Sequence, residues 1–166
     1  GPKVVSAQWK KQFELVIVSP NQISTGQGWY DVGSTAFFSV IQETMSTNDT
    51  RRVFERWSGD FTGSDSSASI MMDSPKNIES IWDTQYLLSI DAPSQAAFEG
   101  GGWYNQEDVV MVSGGNIWAQ ISNSTRIVIQ SIFIDGVELT AARTNSADFS
   151  LEIVMDQPHR VLIVEG

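Results

Sequence analysis

Apolar and polar residues alternate along most of the chain. Phe13, Leu15 and Ile17 alternate with Glu14, Val16 and Val18, and Val53, Glu55 and Trp57 with Phe54 and Arg56. A period of two puts successive side chains on opposite faces of a strand. No segment carries the 3.6-residue apolar stripe of a helix. Turn-forming Gly, Asn, Asp and Pro punctuate the alternating runs. The first half predicts strands at Gln12–Val18, Gly33–Gln42, Arg51–Ser58, Ser67–Asp73 and Lys76–Asp83. The second predicts Gln85–Asp91, Val109–Val112 with its continuation, Arg126–Ile134, Phe149–Met155 and His159–Val164. Pro75 and Pro158 precede the last strand of each set, where a fixed φ and a missing N–H suit a turn.

The two sets of strands are matched in sequence. Trp9–Pro20 recurs as Trp82–Pro93 at an offset of 73, and Gly26–Val40 as Gly100–Gly114 at 74. Asn48–Trp57 returns as Asn123–Ile132 at 75, and Met71–Ile81 as Val154–Val164 at 83. Order is kept and the offset grows in steps, which places insertions in loops, the largest near 136–146. The predicted organisation is a β-repeat over 1–83 and a divergent second one over 84–166. Pro2–Trp9 matches Pro75–Trp82, so residues 1–9 read either as the first strand of this unit or as the closing strand of a preceding copy. The second copy keeps one place for a turn of helix, Glu138–Phe149. The fold expected is all-β: two tandem five-stranded sandwich- or barrel-like repeats, end to end. The joint between them has no Pro/Gly/Ser linker, which predicts little hinge motion and an extended rod.

Composition narrows the chemistry. Twenty acidic against ten basic residues in 166 give a net charge of −10, which repels nucleic acid and anionic membranes. Without cysteine there is no disulfide, thiol nucleophile or thiolate metal site, and a single histidine, His159, excludes a site needing two imidazoles. His159 stands where the first copy has Lys76, on the surface of a strand. Glu107-Asp108, read as neighbours on a strand, point to opposite faces and make no acid/base pair. The serine-rich run Gly63–Ser69 lacks a nucleophile elbow and a base. No enzymatic activity and no cofactor are expected.

Gly28-Trp29-Tyr30, Gly33-Ser34, Phe54, Trp57-Ser58-Gly59-Asp60, Met72-Asp73, Lys76 and Trp82 form a pattern that resembles the divergent internalin-B-type B-repeats of bacterial and archaeal surface proteins. Glu55-Arg56 depart from it, standing where the family often has a residue followed by glycine. The second copy keeps Gly102-Trp103-Tyr104, Met155-Asp156 and Pro158, while Ile132–Gly136 replaces the Trp-Ser-Gly-Asp element. The resemblance implies a surface-exposed β-repeat, Ig-like or β-grasp-like, in a family with no shared catalysis and no single ligand.

Four groups of residues are candidate sites. Trp29, Tyr30, Trp103 and Tyr104 either stack on a sugar ring or anchor the core after a glycine turn, and the second use fits residues present in both copies. Asn48-Asp49-Thr50 and Asn123-Ser124-Thr125 are N-glycosylation sequons at matching positions, the alternative being plain loop residues. Asp60 and Asp65 are weak calcium candidates without the alternating ligands of a calcium loop, so no metal is expected. Lys76 is the best donor for a Lys–Asn crosslink.

The expected function is a non-catalytic extracellular module of a larger cell-surface protein, such as a surface-layer protein, adhesin or stalk. It would act as spacer or interaction domain, with neighbouring repeats of its parent chain as partners, along with surface polysaccharide or other surface proteins. The alternative is a carbohydrate- or protein-binding module, including one accessory to a secreted hydrolase. Neither reading involves nucleic acid or membrane insertion by this segment.

Overall fold

The computed structural model describes residues 1–20, 24–92, 97–115, 118–139 and 148–165. The fold is all-β, with no α-helix among the described residues. The strands are β1 (Gln12–Val18), β2 (Ser24–Thr25), β3 (Gly28–Asp31), β4 (Thr35–Val40), β5 (Glu43–Thr47), β6 (Thr50–Gly59), β7 (Ser67–Met71) and β8 (Lys76–Asp91). They continue as β9 (Ala97–Glu99), β10 (Gly102–Asn105), β11 (Val109–Gly115), β12 (Trp118–Ser122), β13 (Thr125–Ile134), β14 (Val137–Glu138), β15 (Asp148–Val154) and β16 (His159–Glu165).

The chain divides into two compact units. Unit 1 comprises Gly1–Thr44 and Val53–Asp83, and unit 2 comprises Met45–Arg52 and Thr84–Gly166. The tip of the β5–β6 hairpin therefore clusters with unit 2, a placement that sequence order does not suggest.

In unit 1, β1 pairs antiparallel with β3 and parallel with the first half of β8, Leu15 facing Lys76. A second sheet runs β2–β4–β7, all antiparallel. Leu15 and Ile17 of β1, Ala36, Phe38 and Val40 of β4, Trp57 of β6, Met72, and Ile78 of β8 make one buried core from the inward faces of both sheets. The alternation in β1 explains its share, because Glu14, Val16 and Val18 point outward from the same strand. Trp57 is completely buried. Phe38 meets it edge-on at 4.9 Å between ring centroids, and its indole N–H donates to the Asp65 carbonyl at 2.9 Å. Burying side chains of this size contributes roughly 1.5–3 kcal/mol each.

In unit 2, the second half of β8 pairs antiparallel with β10 and parallel with β16, which continues to β13 and β12. A second sheet runs β15–β11–β9. Its core is Leu88, Val110, Val112, Ile132, Ile153, Met155, Val161 and Ile163.

Pairings in the two units coincide residue for residue at the sequence offsets. Leu15 faces Gly28, and Leu88 faces Gly102. Leu15 opposes Lys76 as Leu88 opposes His159, and Thr35 opposes Met71 as Val109 opposes Val154. Asp60 accepts the Asn77 N–H at 2.7 Å, and Asp135 accepts the Arg160 N–H at 2.8 Å.

Three expectations change. Both units hold more than five strands, because β2, β3, β5, β9, β10, β12 and β14 join those read from alternation, and the expected strands Lys76–Asp83 and Gln85–Asp91 are one continuous strand, β8. All of the added strands have two to five residues, too few to display a period. Residues 1–11 carry no strand and are exposed throughout, so the strand expected over 1–9 is not formed. Its sequence counterpart in β8 has β1 to pair with. The insertion near 136–146 and the turn of helix at Glu138–Phe149 fall mostly on 140–147, outside the described residues.

Candidate functional site: the tryptophan–tyrosine strands

Gly28-Trp29-Tyr30 and Gly102-Trp103-Tyr104 lie in strands β3 and β10, not in turns. Because neighbouring strand residues point to opposite faces, each Trp–Tyr pair is split between core and surface. Tyr30 packs against the unit 1 core, and its hydroxyl donates to the Gly26 carbonyl at 2.6 Å. Tyr104 does the same in unit 2, reaching the Gly100 carbonyl at 2.8 Å. Gly26 and Gly100 have φ of 102° and 110°, and a Cβ on either would stand 2.2 or 2.5 Å from a backbone oxygen of the facing strand. Glycine is required there by both conformation and space. The tyrosines are thus pins for glycine corners.

The tryptophans face outward and differ from one another. Trp29 is 64% exposed, whereas Trp103 is half-buried under the Arg51 guanidinium, 4.6 Å from its ring centroid. Arg51 belongs to the hairpin tip included in unit 2. Its Nε donates to Gln85 Oε1 at 2.9 Å, while Gln85 Nε2 donates to Asn105 Oδ1 at 2.8 Å. The Leu87 N–H donates to the Asp49 carbonyl of the same tip at 2.9 Å. Around Trp29, Gln12 Nε2 donates to Asp31 Oδ1 and Lys10 Nζ to Asp31 Oδ2, both at 2.9 Å. That ammonium and hydrogen bonding hold the Asp31 carboxyl below its ordinary pKa.

The sequons sit at the tips of two corresponding hairpins. Asn48 is in the turn joining β5 to β6 and Asn123 in the turn joining β12 to β13, both exposed. The backbone N–H after each is held by a hydroxyl two residues earlier, Asp49 by Thr47 and Ser124 by Ser122, at 3.3 Å.

Asp60 and Asp65 have structural partners: the Asp60 carboxylate caps the Asn77 N–H, and the Asp65 carbonyl holds the Trp57 indole. Among the described residues no three acidic or imidazole side chains converge as a metal site. Lys76 is engaged with Asp73 at 2.7 Å, which lowers the Asp73 pKa. Glu107-Asp108 lie in a turn rather than a strand. Glu107 has φ of 69°, and Asp108 accepts the Asn105 N–H at 2.8 Å.

His159 is the residue whose role sequence reasoning missed. Its side chain is only 10% exposed. Nδ1 lies 2.7 Å from Asp135 Oδ2, and Nε2 lies 3.0 Å from Asp156 Oδ1 and 3.1 Å from the Val154 carbonyl. Every partner is an acceptor, so both ring nitrogens must donate, and the geometry is that of an imidazolium. Burial penalises the charged ring, but hydrogen bonding and charge from Asp135, with Asp156 and Val154 adding to them, raise its pKa above the ordinary 6.5. The signal available in sequence was its alignment with Lys76, itself paired with an aspartate three residues earlier.

No family model, no curated protein and no solved structure matches the chain.

Proposed function

We propose that this chain is a pair of β-repeats from a larger extracellular protein, a non-catalytic spacer or interaction module of the cell surface. The observation that carries the reading is the coincidence of pairing register, core positions and sequon position between the two units. Such coincidence is expected of one unit used twice, and tandem use of a non-catalytic unit suits a stalk, adhesin or surface layer. Exposed sequons on both hairpin tips and a net charge of −10 fit a solvated, glycan-bearing surface. The B-repeat resemblance points the same way.

Protease treatment of intact source cells tests this reading. Peptides of this chain should be released before lysis, from a parent much larger than 18.3 kDa, with added glycan mass at Asn48 or Asn123. Peptides appearing only after lysis would overturn it.

A binding-module reading draws on one observation, the exposure of Trp29. Stacking on a sugar would shift tryptophan fluorescence on titration with cell-wall polymers, and Trp29→Ala would abolish the shift. Trp103 offers no equivalent platform, because Arg51 covers its ring.

A further inference from the structure

Residues 3–18 align with the full length of β8, Lys76–Asp91, at an offset of 73, yet only Gln12–Val18 forms a strand. β8 serves two units. Its first half, to Asp83, closes unit 1 beside β1, and its second half, from Thr84, opens unit 2 beside β10. The strand-forming part of 3–18 corresponds to the opening half and pairs with β3 as that half pairs with β10. The part without a strand corresponds to the closing half, which in β8 belongs to the preceding unit.

That part keeps the side-chain pattern of a closing strand. In β8, Ile78 and Ser80 are buried and Trp82 packs on the unit 1 core. In β16, Val161 and Ile163 are buried at the positions of Ile78 and Ser80. The matching residues ahead of β1 are Val5, Ala7 and Trp9, an apolar row with the period of a strand. Pro2 and Lys3 precede the row as Pro75 and Lys76 do. Val5 and Trp9 are nevertheless each 93% exposed. A repeat buries a face of this kind against its neighbour.

A second observation lies on β3. Trp103 is covered by Arg51 of the hairpin tip Met45–Arg52, which groups with unit 2 although the remainder of β6 belongs to unit 1. Trp29 holds the same position in unit 1 and is exposed. The unit that would supply its cover is again the preceding one. Lys10 and Lys11 stand where β8 has Asp83 and Thr84, so charge selects a neutral or acidic tip for Trp29 and not a second Arg51.

We propose that residues 2–9 and Trp29 form the docking surface for a preceding repeat of this same fold in the parent chain. The register follows from Leu15–Val18 on Lys76–Glu79: four residues of that repeat's opening strand run parallel to Lys3, Val4, Val5 and Ser6. Val5, Ala7 and Trp9 then enter its core. Asp60 accepts the Asn77 N–H and Asp135 the Arg160 N–H, so an aspartate of the preceding repeat accepts the Val4 N–H. The inference deepens the repeat reading, on which it rests, by naming the partner and the residues that meet it.

Hydrogen exchange in the intact parent, purified from source cells, tests the docking against the 166-residue chain. Amides from Val4 to Gln8 should exchange freely in the 166-residue chain and roughly a hundredfold slower in the parent. Equal rates would overturn the proposal. Two variants of the 166-residue chain test it independently. Removing residues 1–9 should leave the melting of unit 1 unchanged, and a lowered midpoint would mean that the segment belongs to this unit instead. Asn77→Val, Ile78→Val, Glu79→Ser, Ser80→Ala and Ile81→Gln together write the sequence of residues 2–9 into β8. Unit 1 should still melt cooperatively, at a lower midpoint because the Ser80 hydroxyl bonds to Ser19 and Trp82 are lost. Disappearance of that transition would overturn the proposal, since a closing strand must be able to close a unit. A large surface-exposed parent with unchanged exchange sinks the docking alone, whereas a parent little larger than 18.3 kDa sinks the repeat reading with it.

Discussion

The Tyr30 hydroxyl donates to the Gly26 carbonyl across 2.6 Å, tying a strand to the glycine corner four residues before it. The Tyr104–Gly100 bond repeats this in unit 2. Both tyrosine rings pack on a core, so each bond spans a partly dry gap between side chain and loop. Removing only the hydroxyl keeps the packing and leaves a carbonyl without its donor. Tyr30→Phe and Tyr104→Phe should each cost about 1 kcal/mol. Chemical denaturation checks this, with a lowered midpoint and an unchanged slope expected for each variant.

Trp57 should be the most sensitive single position in unit 1. It is fully buried, meets Phe38 edge-on and Phe54 at a tilt, and spends its N–H on the Asp65 carbonyl. Ile132 fills the corresponding place in the unit 2 core. Trp57→Ala should cost about 3–5 kcal/mol through lost burial and an unfilled cavity. Trp57→Ile should cost less while still exposing the Asp65 carbonyl. Thermal melts followed by the remaining tryptophans would rank the two.

Alternation in the sequence made ten strand segments legible, two of which are continuous in β8, and it set Leu15 and Ile17 on the buried face of β1. The short strands were hidden for a physical reason. Gly28–Asp31 has four residues, starts on a glycine with φ of 145°, and is fixed by the β1 edge it joins rather than by its own pattern. The same cause reassigns Trp29 and Tyr30. A turn lets both rings choose their direction, whereas a strand forces one inward and one outward. The placement of Met45–Arg52 in unit 2 was not legible, since nothing in a polar tip names the strand it meets.

Glu107 should be a site of easy stabilisation. It holds φ of 69°, and Gly33 occupies the matching position of unit 1 with φ of 78°. A Cβ at Gly33 would meet open space, so the cost of a side chain there is conformational rather than steric crowding by neighbours. Left-handed backbone costs a non-glycine residue about 1 kcal/mol. Glu107→Gly should recover part of it, against the higher chain entropy of glycine when unfolded. A rise in melting temperature is expected, and Gly33→Glu should lower it.

His159 should make the stability of unit 2 depend on pH in the neutral range. Its folded pKa is raised above 6.5 because Asp135 and Asp156 hold the protonated ring, outweighing the penalty of burial. The folded state then binds a proton more tightly than the unfolded state does. The stabilisation is fully present below the unfolded pKa near 6.5, and it is lost as pH rises through the higher folded value. Urea midpoints measured across that interval should fall with rising pH. His159→Lys restores the residue at the matching position of unit 1, where Lys76 pairs with Asp73 at 2.7 Å. A lysine keeps its charge to about pH 10, so the variant should flatten the profile through neutrality. His159→Gln, which offers one donor group in place of two, should lower stability at acid pH and remove the slope. A wild-type midpoint constant across this range would show that the histidine–aspartate contacts do not hold a proton.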